Sequence, residues 1–578
     1  MPALRKRAVE DHHPAGSHGM PDRGMPDRIL VPGKTCWRIV RADRFSVIVD
    51  ADDYFRTAKK AIAEAENIVM AIGWDFDLRI KLEPDGPRDA GPDRLGHLVQ
   101  HLVETKRHVH AYVLKWDMAM LTTLTSQVIP LLATHWLTMR RIHFRLDSSH
   151  PLTGCHHQKI LVIDDSVAFC GGIDMTTDRW DTSNHREEDP YRTRPDGSSY
   201  GPFHDVTTAC DGEAAQALGE LARERWRRAG GKRPRPPRLR ERCWPEGLPV
   251  TLEDVDVAIA RTAPPYDGRQ GIFEIEALYL AAIAAARRVI YMESQYFASQ
   301  AVRDALLRRL AEPDGPEVVV INPESADGWL EEWTMDAARA HIVRALRDAD
   351  RYGRFRIYYP VNEAGTPIYV HAKVVTVDDR LLRIGSSNLN NRSMGLDTEC
   401  DVAVEAVPGA GNERAVAQAV IGVRHRLLAE HLAVPPERLA REIEERGSVI
   451  AAVDALRQDT GRTLRPLEAR ELSQAETAVI ESRLMDPERP ARFEKALTHM
   501  AKYVANATPP TTVAFLAGLA LGVLAGRLVR RQKGSEQEGP SPRLGWYETQ
   551  SIRAANGSPR HSKRPVQSST PRPFQRSM

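Results

Sequence analysis

The chain of 578 residues holds only six cysteines, and none of them forms a Cys-x-x-Cys pair. That excludes a disulfide-stapled small scaffold and a zinc ribbon. Cys36, Cys155, Cys170, Cys210, Cys243 and Cys400 read instead as single thiols of a reducing compartment. Charge of one sign is missing too: 80 Lys and Arg face 78 Asp and Glu, a net charge of +2. Such a chain has no overall field to draw in a phosphate backbone, so no nucleic-acid partner is expected. A Gly-rich nucleotide loop and a metal-spacing cluster are both absent, and no cofactor is expected. The basic start MPALRKR is not followed by an apolar run, so no cleaved signal peptide is expected.

What the chain does have is a repeat. Ala61 to Phe76 (AIAEAENIVMAIGWDF) is echoed by Ala282 to Phe297 (AIAAARRVIYMESQYF). Each reads as an Ala-rich helix running into an apolar strand with a polar-aromatic end. VHAYVLKW near Val113 parallels EVVVINPE near Val320, and HHQKILVIDD parallels VHAKVVTVDD. Units in the same order in both halves predict two similar α/β lobes. Composition sets the bounds: a disordered arm at 1–30, a first lobe at 31–228, a basic Pro-rich linker at 229–249 and a second lobe at 250–435. Apolar residues at three- and four-residue spacing predict a helical extension at 436–507, and a disordered tail covers 530–578.

The third match carries chemistry. His157, Lys159 and Asp164 stand as His-x-Lys-x-x-x-x-Asp, and His371, Lys373 and Asp378 repeat the spacing. A strand follows each Lys, so His and Lys, two residues apart, share one face. An imidazole beside a fixed ammonium is what attack on a phosphodiester requires: a nucleophile or acid next to charge for the non-bridging oxygens. A small-residue turn follows at equal distance, Gly171-Gly172-Ile173-Asp174 and Gly385-Ser386-Ser387-Asn388, which lets backbone and short polar groups approach a phosphate.

The duplicated His-Lys-Asp motif resembles that of the phospholipase D superfamily. HHQKILVIDDSVAFCGGIDMTTDRWD and YVHAKVVTVDDRLLRIGSSNLNNRSMGLDTECD are similar to phospholipase D proper, in its compact bacterial type. TCWRI, GWDFD, FHDV and YMESQYF support the same branch, over about residues 34 to 435. The resemblance implies two α/β/α lobes in a pseudo-two-fold bilobal unit, with both histidines in one cleft. It implies hydrolysis of glycerophospholipids to phosphatidic acid through a phosphohistidine, with capacity for transphosphatidylation. His157 would be the nucleophile and His371 the acid and then the base, although two symmetric motifs do not order themselves. Asp205 and Glu399 match the carboxylates that orient the imidazoles. Lys159, Lys373, Asn388, Ser386 and Asp174 match the phosphate-binding positions, Asp174 holding Lys159 or the turn as the alternative. Asp164 and Asp378 would brace the fold. The rival readings are a phosphatidyltransferase of cardiolipin synthase type and a superfamily nuclease. His156, His204 and His110 lack counterparts and read as packing; Trp74, Trp116 and Trp180 read as core; Glu293 and Gln295 read equally as cleft lining or strand-end hydrogen bonds.

Residues 511–529 form an apolar segment interrupted by Arg527, with Gly518, Gly522 and Gly526 along one face. About 20 residues span a bilayer, so this stretch reads as a transmembrane or membrane-inserted helix, with a buried soluble helix as the competing reading. A phospholipid substrate and a membrane surface are therefore the expected partners, with the catalytic part on the cytoplasmic side. The sequence leaves the oligomeric state open.

Overall fold

The computed structural model describes residues 28–87, 91–117, 139–151, 153–237, 244–326, 335–472 and 486–487. The apolar segment 511–529 and the tail 530–578 lie outside the described residues. Among those that are described, no helix is long and apolar enough to cross a membrane.

The first half supplies strands β1 (Arg38–Val49), β2 (Ile68–Gly73), β3 (His110–Trp116), β4 (Ile142–Asp147), β5 (Ile160–Ile163), β6 (Val167–Gly171), β7 (Phe203–His204) and β8 (Val206–Asp211). The second supplies β9 (Leu252–Ala263), β10 (Ile272–Phe273), β11 (Val289–Glu293), β12 (Glu317–Ile321), β13 (Phe355–Val361), β14 (Tyr369–Val370), β15 (Val374–Val377), β16 (Leu381–Gly385) and β17 (Glu399–Glu405), and the chain then adds β18 (Thr463–Pro466). β1 and β9 pair antiparallel from Arg38 opposite Ile259 to Phe45 opposite Leu252. Outward from that seam the order is β8-β6-β5-β2-β3-β4 on one side and β17-β16-β15-β11-β12-β13-β18 on the other. The two predicted lobes are thus halves of one continuous mixed sheet.

Alternation along the strands puts successive side chains into different cores. Met70 and Ile72 join a core that runs under both halves, closed by the helices Gly212–Arg228, Glu413–Leu432 and Val449–Leu456. Val69 and Ala71 face the other way, into a core with helices Ala51–Glu64 and Leu95–Thr105. Ile290 and Met292 do the same in the second half, against helices Glu274–Ala285, Gln300–Leu310 and Ala337–Ala349. The connections β5–β6 and β15–β16 turn on Asp164 and Asp378, at φ 54 and 53, a region that Asp enters more readily than bulkier residues. Asp164 accepts the backbone N–H groups of Glu66, Asn67 and Ile68 at 2.6 to 2.7 Å. Asp378 does the same for Arg287, Arg288 and Val289 at 2.7 to 2.9 Å. Each motif aspartate therefore pins the entry of the neighbouring strand, and each N–H it serves would cost about 1–3 kcal/mol if left buried and unpaired.

Three boundaries differ from the composition reading. Ile29 and Leu30, placed in the arm, are buried, and their N–H groups donate to Glu405 at 2.9 and 3.0 Å. The linker is not free-standing at its end, where Trp244 donates to the Leu248 carbonyl and Lys60 reaches the Glu246 carbonyl. The extension is not purely helical: after helices Pro436–Arg446 and Val449–Leu456 it returns as β18, antiparallel to β13. Four residues ending in a proline carry no visible period, and pairing on an open edge makes them a strand.

Candidate active site

Each histidine of the repeated motif is fixed by backbone pairing to the opposite half. The His157 N–H donates to the Thr398 carbonyl at 3.0 Å, and the His371 N–H to the His204 carbonyl at 2.8 Å. β14 runs parallel to β7, with Tyr369 opposite Phe203 and Val370 opposite His204. The next residues in the chain are Glu399 and Asp205, so each pairing delivers one half's carboxylate to the other half's imidazole. His157 Nδ1 lies 3.0 and 3.1 Å from the Glu399 oxygens, and His371 Nδ1 lies 2.6 Å from Asp205 Oδ2. A carboxylate at Nδ1 holds the proton there and presents Nε2 as the basic, nucleophilic nitrogen. Both carboxylates have no exposed side-chain surface, whereas His157 keeps 15% and His371 7%.

Burial pushes both imidazoles well below their ordinary pKa. Lys159 and Lys373 add to the effect on His157; Lys373, Arg179 and Lys159 add to it on His371. Burial pushes Asp205 up to about 6 against the pull of Lys373, and it pushes Glu399 well above the usual carboxylate range despite the Ser386 hydroxyl and Lys159. Lys373, driven down by burial and drawn up by Asp205, titrates at about 7.

The remaining predicted positions divide unevenly. Lys159 Nζ pairs with Asp174 Oδ2 at 3.1 Å, while Asp174 Oδ1 accepts the Trp74 N–H at 3.0 Å. Lys373 Nζ donates to its own motif's His371 carbonyl and lies 3.5 Å from Gln295 Oε1. Asn388 is buried, and its carboxamide oxygen has no hydrogen-bond partner among the described residues. Ser386, suggested by the sequence as a phosphate contact, turns its hydroxyl to a carboxylate of the site. Its hydroxyl is committed to Glu399 at 2.5 Å, and Ser393 donates to the other Glu399 oxygen at 2.8 Å. Asp174, an anion paired with a lysine, likewise holds that lysine rather than offering a phosphate contact. Gly172 fills the place of Ser386 in the first half, and a Cβ there would collide with Asp205 Oδ1.

Sequence reasoning missed Ser393 and Arg179. The guanidinium of Arg179 lies 4.9 Å from the Phe203 ring centroid, and that ring is 5.5 Å from His371. Arg179 occupies the repeat position of Ser393, so a search for matched pairs passes over both. Trp74 and Trp116 are half-buried and stack at 5.9 Å, unlike Trp180, which is core. His156 is buried against the Thr398 hydroxyl, and His110 stacks on His143.

His204 belongs to a separate buried network. Its Nδ1 meets Asp50 at 3.0 Å and Glu430 at 3.2 Å; its Nε2 meets Glu293 at 3.0 Å. His185 joins Asp181 and Glu430, and His431 Nε2 joins Glu293. Against the penalty of burial, Glu293 and Asp50 hold the His204 pKa well above its ordinary value, and His204 and His431 hold Glu293 down to about 2. Among the described residues, Asp50, His185, His204 and Glu430, and again His204, Glu293 and His431, are spaced closely enough to surround a cation. The contacts in this network, at 2.9 to 3.2 Å, are hydrogen-bonded pairs of histidine and carboxylate. Asp50 also accepts the Asp205 N–H at 3.3 Å, which ties the network to the back of the site. The arrangement as a whole can carry out displacement at phosphorus: two imidazoles, each held at Nδ1 by a carboxylate, and fixed cations beside them.

A family model described as Phospholipase D matches residues 61–267 and 360–479, more than half of the chain. A second, described as Cardiolipin synthase, PLD-like domain, matches residues 279–418. Phospholipase D A of Dictyostelium discoideum is 24% identical over 482 residues, covering 69% of this chain and 36% of that protein. Phospholipase D alpha 3 of Arabidopsis thaliana is 24% identical over 518 residues, covering 65% of this chain and 62% of that protein. The chain thus spans about a third of the first relative and under two thirds of the second. Among solved structures, phosphatidylserine synthase of Haemophilus influenzae aligns with 66% of this chain and 86% of its own, at 13% identity and a TM-score of 0.46.

Proposed function

Because the chain belongs to the phospholipase D family, we propose that it hydrolyses glycerophospholipids to phosphatidic acid and a free head group. His157 Nε2 attacks phosphorus, while His371, entering the step as an imidazolium that Asp205 and the phosphate anion stabilise, gives its Nε2 proton to the leaving alcohol and becomes neutral. The phosphohistidine is then released by water that His371, now neutral, deprotonates. Lys159, Lys373 and Asn388 hold the phosphate oxygens, and Glu399 and Asp205 keep the imidazoles in the reactive tautomer. The observation that carries this reading is the pair of crossed, buried His–carboxylate contacts at 3.0 and 2.6 Å, with a lysine two residues from each histidine.

The test is product analysis. Phosphatidylcholine with ethanol should give choline, phosphatidic acid and phosphatidylethanol, because a covalent intermediate partitions between water and alcohol. Inversion at phosphorus without an alcohol adduct would falsify the covalent route. A second reading is favoured by the cardiolipin synthase-type match over the second half: a phosphatidyltransferase would prefer phosphatidylglycerol or glycerol as acceptor over water.

Residues 511–529 we assign to membrane association, with the catalytic part on the cytoplasmic face; the apolar composition and the glycine face support this. Truncation after Pro510 should release the protein from membranes and leave activity on detergent-dispersed lipid intact. Recovery of the full chain in the low-salt soluble fraction would count against it.

A further inference from the structure

Lys159 and Lys373 occupy matched positions, yet they differ as phosphate ligands. The charge of Lys159 is offset by Asp174 at 3.1 Å, with side-chain exposures of only 3% and 2%. Lys373 lies 3.5 Å from neutral Gln295, and its half carries neutral Asn388 at the repeat position of Asp174. A monoanionic phosphodiester gains charge on its non-bridging oxygens as the nucleophile arrives, and with Asp174 at Lys159 and the field of Asp205 on Lys373 the two ammoniums are a thin counter-charge.

Arg179 supplies a third cation in this place. It lies five residues beyond Asp174, on the same turn. Its Nη1 donates only to the backbone carbonyls of Thr177 and Asp178, at 3.5 and 3.1 Å. Its Nε is buried with no hydrogen-bond partner, and among the described residues no carboxylate forms an ion pair with it. Phe203 holds the guanidinium plane 4.9 Å from its ring, and that ring also stacks on Tyr369 at 5.7 Å and tilts over His371 at 5.5 Å. The charge acts on Asp205, His371 and Lys373 together, which places it on the side of the second motif although the first half carries it. A planar fork with donors to spare fits two oxygens of one oxyanion better than a point ammonium does.

We infer that Arg179 is a substrate-binding residue of this site, contributing to the non-bridging phosphate oxygens the charge that Asp174 withdraws from Lys159. The inference rests on the phosphodiesterase reading, but it concerns an oxyanion site and is testable without turnover. The probe is orthovanadate, a tetrahedral oxyanion that also accepts a fifth ligand, titrated into the full chain in detergent by calorimetry. Arg179→Gln should weaken vanadate binding about 10- to 100-fold, the range for a lost charge-assisted hydrogen bond. Arg179→Lys should recover part of it, and melting temperatures should match the wild type. Should Arg179→Gln fold poorly, Arg179→Lys alone must still bind more weakly than the wild type. Unchanged affinity in a folded Gln variant overturns the inference, as does a wild-type protein that binds no vanadate. A wild type that binds vanadate through Arg179 yet leaves every phospholipid uncut would refute the lipid reading and keep the oxyanion site.

Discussion

The two halves of the site solve the same problem with different carboxylates. Glu399 is long, and its oxygens are held by the hydroxyls of Ser386 and Ser393. Asp205 is one methylene shorter, and its space is made by Gly172 where the other half has Ser386. Arg179 stands in the repeat position of Ser393, so two neutral donors in one half answer to an empty space and a cation in the other. The consequence is electrostatic. Asp205, pushed up by burial only to about 6, is ionised at neutral pH, whereas burial drives Glu399 well above the usual range. Burial thus disfavours the charged form of the carboxylate behind His157 more strongly than that of the one behind His371. Duplication of a motif has fixed the geometry and left each copy's charge free to diverge.

The largest effect should come from removing either imidazole. His157→Ala and His371→Ala should each lower turnover by at least about a thousandfold, since neither ring can perform the other's proton or phosphorus chemistry. Mixing the two inactive variants should restore nothing; recovery would show that the two histidines of a site come from different chains.

The carboxylates should then separate the halves. Asp205→Asn should cost about a hundredfold in kcat and Glu399→Gln less, because burial disfavours the charged form of Glu399 more strongly than that of Asp205. Equal losses would erase the electrostatic distinction drawn between them.

A pH profile sharpens the same point. Asp205 must lose its proton to stabilise the His371 imidazolium, so kcat/KM should rise as pH climbs through about 6. Lys373 must keep its proton to hold phosphate, so kcat/KM should fall as pH passes about 7. Lys373→Arg should extend the alkaline limb, because a guanidinium stays protonated. A profile without either limb would remove both assignments.

The smallest expected effect concerns stability. Glu293 sits where the first half has Ile72, the same place in the repeat. Glu293→Gln breaks a buried ion-pair network and should cost about 3 kcal/mol, against about 1 kcal/mol for Ile72→Val. Both values are readable from urea unfolding at neutral pH. The folded-state pKa of Glu293 is depressed, so its contribution is present above its ordinary 4.5 and lost as pH falls to about 2. A Gln variant as stable as the wild type would show that Glu293 acts as a packed neutral group.

The repeated motif was legible because its information is local: a strand alternates, so residues two apart share a face whatever the fold around them. The strand matches were legible for the same reason, in Ile68–Gly73 against Val289–Glu293. Long-range pairing was not. Nothing in HHQK or FHDV says that His157 takes its carboxylate from residue 399 and His371 from residue 205, since a symmetric pattern admits both connections. Arg179 and Ser393 were hidden because a repeat search rewards likeness, and they differ. The contact of Ser386 with Glu399 was hidden because a small residue after Gly suits a phosphate as well as it suits a carboxylate. Ile29 and Leu30 were lost in a polar neighbourhood whose average outweighed two apolar side chains.

The crossing of carboxylates also has a meaning in time. During synthesis His157 emerges with its lysine, its turn and most of its own half already made, yet the group that sets its tautomer is 242 positions further on. His371 meets the reverse case: Asp205, already held by Asp50, Val206 and Gly172 of its own half, waits for its imidazole until the second half arrives. A ribosome-bound first half therefore carries a recognisable motif without a tuned nucleophile. Return of Glu399 to the seam is the step that completes the His157 contact and, under the proposed mechanism, arms the chain.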